Sequence, residues 1–310
     1  PASITADLLR RDFTINALAM LLNPKEFGLL LDPARGWDDL KNGTLRILHN
    51  LSFLEDPTRI LRIIRYKARF GFTIEENTGH LLRRAINSGM LKRISPDRLR
   101  NELFRCLKEL HPAQVLRELN SWGVFPSFFS HFIFPASLFE PEDQIARAVQ
   151  EYAPSPFSSE IAYFLALGSD VPLRFRRKFF SLFRLDKKTQ KASEMISRLE
   201  NLWQRLLSAT SPSSVYFLLK DVPVEVQVVL LAKYPELREK INLYHQVLQH
   251  IRLRISGNDL VERGFPEGPD IGWVLQQVLR LRLDDKILPE EELETAIRLL
   301  QGRKKKGQKR

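Results

Sequence analysis

Asp56 and Arg59 stand three residues apart at the start of a basic, amphipathic stretch, FLEDPTRILRIIRYKARFGF (residues 53–72). On a helix that spacing sets a carboxylate acceptor beside a forked guanidinium donor on one face. Cytosine and adenine each carry an exocyclic amino group next to a ring-nitrogen acceptor, whereas uracil and guanine reverse that order. An Asp/Arg pair therefore complements C and A, and a wrong base is rejected through the buried polar groups it leaves unpaired. The same residues also have a structural explanation. Asp56 before Pro57 fits an N-cap followed by proline at the first helical position, with Arg59 available to pair with it. Taken alone, EDPTR fits helix initiation better than base recognition.

The elements around the pair sharpen the choice. Arg62, Arg65 and Arg69 continue a basic stripe, while Ile60, Leu61, Ile64 and Ala68 point to a core. A solvated charged face is the default for such a stripe. Upstream, in RRDFTINALAM (10–20), two arginines before an aspartate suit charge-assisted contacts to a triphosphate or ribose. Asp12 and Thr14 also stand where they would cap a following helix. Between the two blocks, LLDPARGWDDLKNGTLRIL (30–48) reads as strand, turn, short helix and strand, with Gly36 and Gly43 supplying permissive backbone angles. Downstream, RISPDRLRNELFRCL (93–107) opens with Ser95 before Pro96, a helix start, and Arg98 and Glu102 have the spacing of a stabilising i, i+4 pair.

These four blocks, in this order and spacing, resemble motifs B to E of the bacterial class II tRNA nucleotidyltransferases and poly(A) polymerases, the CCA-adding family of the polymerase β superfamily. The resemblance covers about the first 125 residues and returns weakly in ISGNDLVERGFPEGPDIGWVL (255–275). The wording HNLSFLEDPTRILR is most similar to long members that carry phosphoesterase-like and CBS modules. It implies an enzyme that adds C, A or both from CTP and ATP to a tRNA 3′ end. A poly(A) polymerase and a noncatalytic RNA-binding module are the alternatives. By resemblance Asp56 and Arg59 hold the base edge, Glu55 orients the arginine, and Arg11 and Asp12 contact sugar and phosphates. Asn16 orients that site, Arg62 and Arg65 face phosphates or the RNA end, and Arg98 and Glu102 brace the reading helix. Arg46 is a further candidate near the site.

The family also implies Mg²⁺, held by a DxD carboxylate pair that follows a glycine-rich loop and precedes RRD. Neither pattern occurs here, and Asp38 with Asp39 or Asp284 with Asp285 lack its spacing and context. The expectation is a fragment without its metal site or catalytic carboxylates, inactive alone. The block DPARG also departs from the family's usual glycine pair, which favours a supporting role there.

Composition agrees with an anionic partner. Forty-eight Lys and Arg against 37 Asp and Glu give the 310-residue chain a formal charge of +11, which favours nucleic acid. No run approaches the ~20 apolar residues of a membrane span, and no signal peptide opens the chain, so a cytoplasmic setting is expected. The single Cys106 permits no internal disulfide and reads as core, and the histidines lack zinc-ligand spacing. No feature fixes the oligomeric state.

The predicted fold is mainly α: the end of a mixed α/β nucleotidyltransferase head (1–50), then an elongated all-helical neck (51–125), body (126–235) and tail (236–302). In the head, the second half of ADLLRRDFTINALAMLL reads as helix and FGLLLDP as a short buried strand. A basic end, RKKKGQKR (303–310), reads as disordered. In the body, RFRRKFF (174–180) and RLDKKTQK (184–191) interleave cations and aromatics. Arg174, Arg176, Arg177, Lys178, Lys187 and Lys188 are candidates for gripping the acceptor end and top half of tRNA through phosphates and 2′-hydroxyls. Basic faces over an aromatic core are the competing explanation. The ISGNDL block reads as a helix cap.

Overall fold

A computed structural model describes residues 3–152 and 157–307. Helix α1 (Ile4–Leu8) leads to a 3₁₀ turn (Thr14–Asn16), and strands β1 (Ala19–Met20) and β2 (Leu30–Leu31) form an antiparallel hairpin with Ala19 opposite Leu31. After α2 (Gly36–Lys41), β3 (Thr44–Leu45) precedes α3 (Ser52–Glu55) and the long α4 (Thr58–Phe70). Strand β4 (Thr73–Ile74) then returns to pair in parallel with β3. That pair, with the bridge Phe13 to Ile47, ties the first 50 residues to α4.

Two expectations for this region fail. Residues 14–20 form a 3₁₀ turn and a strand instead of a helix, because their polar groups are bound elsewhere. Thr14 N–H donates to Arg46 O, and Thr14 Oγ1 donates to Asp39 Oδ2 at 2.7 Å. Asp12 Oδ1 accepts from Phe13 N–H and Asn16 Nδ2. Such side-chain bonds offer the backbone an alternative to the helix. Strand β2 exists but is not buried, since Leu29 is 52% and Leu30 39% exposed.

The glycines of the second block act in different ways. Gly43 adopts a left-handed φ of 62° at its turn. Gly36 is needed for space, since a Cβ there would run into the Thr14 carbonyl. Gly36→Ala should therefore lower stability by about 1–3 kcal/mol, measured by denaturant unfolding. A cost no larger than that of an exposed glycine such as Gly272→Ala would refute the close-approach account.

Helix α4 buries Ile60, Leu61, Ile63, Ile64 and Ala68 and stops at Gly71, a left-handed cap whose N–H returns to Lys67 O. It packs on α6 (Pro96–Leu107) and α7 (Pro112–Ser121), with α5 (Glu76–Asn87) alongside. The chain continues through α8 (Val124–Phe128), α9 (Ala136–Phe139), α10 (Gln144–Tyr152), α11 (Ser159–Gly168), α12 (Leu173–Ser181), α13 (Lys187–Ile196) and α14 (Leu199–Ser208). Next come α15 (Pro212–Leu219), α16 (Val224–Lys233) and α17 (Arg238–Gln246). Residues 162–168 of α11 and 225–231 of α16 are buried on every side, as expected of central helices apolar all round.

One hydrophobic core runs from Phe13 to Leu248 and includes Leu283, so it joins the expected neck and body to parts of the expected head and tail. The expected boundary at 125/126 cuts through it, for Phe125 stacks on Phe132 at 4.5 Å and Phe132 meets Phe179 at 5.7 Å. Cys106 lies in this core, and burial raises its thiol to about 12.

The tail holds a second, smaller core formed by α18 (Gly257–Val261), α19 (Pro269–Leu283) and α20 (Glu292–Gly307). The ISGNDL block is a cap: Ser256 and Asp259 make a capping box. Helix α20 continues to Gly307, so the first part of the basic end is helical instead of disordered. Arg303 extends that helix by pairing with Asp270 at 3.2 Å and lying over Trp273. Residues 308–310 of that expectation lie outside the described residues. Among the described residues no helix is long and apolar enough to cross a membrane.

Candidate functional site

An open cleft of about 470 Å³ lies between residues 11–16 and the first turns of α4, lined by Arg11, Asp12, Asn16, Asp56, Arg59, Arg62 and Tyr66. Its two walls come from the two blocks singled out in the sequence. The α3-to-α4 corner places Asp56: Oδ1 accepts from Thr58 N–H at 3.1 Å, Thr58 Oγ1 at 2.6 Å and Arg98 Nη2 at 2.8 Å. Asp56 thus caps α4, as its position before proline suggested. Burial opposes ionisation of this carboxyl, but the Thr58 hydrogen bonds and the Arg98 guanidinium outweigh it and hold Asp56 below its ordinary range. Its other oxygen, Oδ2, makes no hydrogen bond among the described residues.

Arg59 does not pair with Asp56. Its Nη1 donates to Ser52 Oγ at 2.7 Å and its Nη2 to Arg10 O at 3.1 Å, while Nε has no partner among the described residues. Glu55 is not its orienter, because that carboxylate faces solvent and His49 Nε2 at 3.3 Å. Ser52, fully buried one turn earlier, fixes the guanidinium instead.

The opposite wall is an ion-paired lattice. Arg62 donates through Nε and Nη2 to Asp12 Oδ2 at 2.8 and 2.6 Å. Asn16 Nδ2 holds Asp12 Oδ1 at 2.9 Å, and Arg11 Nη1 donates to the Asn16 carbonyl at 3.3 Å. Burial alone would lower the Arg62 pKa; Asp12, with help from Glu102, raises it. Arg62 is thus a permanent cation at the floor of the cleft.

Other expected members sit elsewhere. Arg65 is buried on the far side of α4 against Glu109 at 2.9 Å, away from the cleft. Arg98 and Glu102 do not pair with each other. Arg98 braces Asp56, while Glu102 Oε1 accepts from Arg105 at 2.5 Å and lies 3.9 Å from Arg62. Arg46 is tied to Asp39 at 3.1 Å and Glu75 at 3.6 Å and does not line the cleft.

The six body cations also separate. Arg176 is 6% exposed, donates to the Val171 and Ile196 carbonyls and forks onto Glu200 at 2.8 and 3.1 Å, so it clamps helices together and is closed to RNA. Lys188 pairs with Glu225 at 2.9 Å. Arg174, Arg177, Lys178 and Lys187 remain on the surface, with Arg174 over the Phe175 ring.

Tyr66 and Ser52 were missed. Tyr66 follows Arg59 and Arg62 on the same helix face and packs edge-on against Phe13 at 5.7 Å. Among the described residues no group of three or more His, Cys, Asp and Glu side chains converges as a metal site. Asp12 and Asp56 are committed to Arg62 and Arg98, Asp39 to Thr14 and Arg46, and Asp284 to Ser213. These residues do not fit a divalent cation. What the cleft offers is a free carboxylate oxygen and a free guanidinium N–H beside further cations: a recognition surface for a polar planar edge joined to an anion.

Comparison with known proteins adds the following. Residues 1–46 match the family model "Poly A polymerase head domain", and residues 71–133 match "Probable RNA and SrmB- binding site of polymerase A". The A-adding tRNA nucleotidyltransferase of Geobacter sulfurreducens is 32% identical over 96% of this chain, which spans only 36% of that protein's length. The Thermotoga maritima CCA-adding enzyme complexed with tRNA is similar in structure, with a TM-score of 0.77 and 32% identity, covering 96% of this chain and 74% of that one. A CCA-adding enzyme solved with ATP gives a TM-score of 0.78 at 32% identity, covering 94% of this chain and 70% of that one.

Proposed function

The chain belongs to the class II tRNA nucleotidyltransferase and poly(A) polymerase family, and on that premise we propose that it selects the incoming nucleotide and binds the RNA for transfer of AMP, CMP or both from ATP and CTP to a tRNA 3′ end. The observation that carries this reading is the meeting, in one cleft, of uncommitted Asp56 Oδ2 and Arg59 Nε with the cations Arg11 and Arg62. Asp56 accepts from the exocyclic amino group of A or C, and Arg59 donates to the adjacent ring nitrogen. Arg11 and Arg62 take the phosphates, and Asp12, held by Asn16, takes ribose hydroxyls. Arg98 sets Asp56, and Ser52 sets Arg59.

The reading is supported by the ATP complex of a similar enzyme and by the A-adding name of the Geobacter relative. Mg²⁺ is typical of the family, but no residue here is assigned to it and no step is routed through it. A cytoplasmic setting fits the proposed substrates. A poly(A) tailing reaction would read the same base edge, and product length on tRNA separates it from CCA-end synthesis.

Equilibrium binding of the four nucleoside triphosphates, with incorporation assayed on tRNA lacking its terminal A or its CCA, tests the proposal. ATP and CTP should bind more tightly than GTP and UTP, and tRNA should bind at the same time. Equal affinity for all four nucleotides would sink the base-selecting role.

A further inference from the structure

Asp12 has no free acceptor position. Its Oδ1 accepts from Phe13 N–H at 3.0 Å and Asn16 Nδ2 at 2.9 Å, and its Oδ2 accepts from Arg62 Nε at 2.8 Å and Nη2 at 2.6 Å. A carboxylate offers about four such positions, so ribose hydroxyls can reach Asp12 only if Arg62 lets go. A partly buried guanidinium stripped of its counter-charge is costly, and its release needs an anion to receive it. Glu102 stands ready on α6. Its side chain is 8% exposed, and its Oε1 lies 3.9 Å from Arg62 Nη1, the nitrogen that Asp12 leaves free. That oxygen is shared with Arg105 Nη1 at 2.5 Å, whereas Oε2 is buried and has no hydrogen-bond partner among the described residues. A buried carboxylate oxygen without a donor is unfavourable, and Arg62 is the cleft cation placed to relieve it.

We propose that Glu102 is a positioning residue for the nucleotide sugar: it receives Arg62 when a nucleotide enters, and this exchange clears Asp12 Oδ2 for the ribose hydroxyls. The inference rests on the nucleotide-binding reading of the cleft and deepens it. The empty and occupied cleft then differ in one ion pair. Without nucleotide, Arg62 closes Asp12 through Nε and Nη2. With nucleotide, Nη1 settles on Glu102, the other two nitrogens turn to the phosphates, and the unpaired Oε2 gains a donor. Triphosphate and ribose are thereby read together, because the phosphates that attract Arg62 also unmask Asp12. Glu102 touches no substrate and acts through Arg62.

The test compares equilibrium affinities for ATP and 2′,3′-dideoxy-ATP in the unaltered protein, Glu102→Gln and Arg105→Ala. Thermal unfolding and the ATP to GTP ratio are measured on the same samples. Hydrogen bonds from ribose to a charged carboxylate should make ATP bind about tenfold more tightly than its dideoxy analogue in the unaltered protein. Glu102→Gln keeps the shape but removes the charge that receives Arg62, and it should cut that ratio to about twofold with base preference unchanged. Arg105→Ala removes the cation that competes for Oε1 and should raise the ratio. Arg105 is 57% exposed and does not line the cleft, so this variant still reads the exchange if Glu102→Gln proves unstable. A residue that only braced the helix would alter stability and the affinity for both nucleotides alike, leaving their ratio fixed. A fixed ratio in either folded variant, or no preference for ATP over its dideoxy analogue in the unaltered protein, would overturn the inference. Failure of the base-selecting reading leaves a different mark: the four triphosphates bind equally while the hydroxyl ratio still responds to Glu102→Gln.

Discussion

Asp56→Ala is expected to abolish most of the preference for ATP and CTP over GTP and UTP while leaving tRNA affinity within twofold. Removing the carboxylate deletes the acceptor for the exocyclic amino group. A bidentate base contact contributes about 1–3 kcal/mol of discrimination, roughly 5- to 150-fold. Arg59→Ala should have a comparable effect through the other half of the edge. Arg98→Ala should act indirectly and more weakly, because Thr58 still holds Asp56 Oδ1 when the 2.8 Å Arg98 contact is gone. The carboxylate form is the one that accepts. Since its pKa is held below the ordinary 3.8, the charged state persists above that value and is lost only as pH falls through the lowered one. Selectivity should therefore be flat from about pH 5 to pH 8. Competition binding of the four triphosphates to each variant measures all of this, and unchanged ratios for Asp56→Ala would return the residue to a purely capping role.

A second large effect is expected at Arg176. Replacing it with Met keeps much of its volume but leaves two carbonyls and Glu200 without their shared donor. Breaking a buried pair from one side costs about 3–5 kcal/mol; Glu200 is 44% exposed and recovers some hydration, so about 2–4 kcal/mol is expected here. Urea unfolding reads the loss directly. The RNA affinity of the folded fraction should not change. A stable Arg176→Met protein with weakened tRNA binding would show that the arginine faces RNA after all.

The contrast between Arg176 and Asp56 shows what a linear sequence reveals. The placement of Asp56 and Arg59 together at the start of α4 was legible because it is local: three residues, one proline and a helix start confine both side chains. Arg176 was not, since its fate is decided by the Val171 and Ile196 carbonyls and by Glu200, groups that only tertiary packing assembles. The same holds for Thr14, whose helical surroundings yield to a long-range bond with Asp39, and for Arg59, whose expected partner Glu55 is replaced by Ser52. Helical phase explains Arg65. At about 100° per residue, Tyr66 returns to within about 20° of Arg59, while Arg65 stands about 120° away. The stripe of arginines is therefore split between the cleft and the Glu109 side, and the aromatic lines the cleft. Blocks marked by prolines and glycines gave the order of elements well. They could not show that neck and body are packed as one, because that depends on which distant phenylalanines meet.

That common packing has a metrological consequence. Ile63 and Ile64 on the buried face of α4, and Val215, Leu219 and Leu283 where α15 meets α19, all belong to the same apolar cluster. Interiors packed at crystal-like density deform little. The cleft face of α4 and the α15–α19 junction are therefore the jaws of a fixed calliper, whose opening is set by the core instead of by any loop.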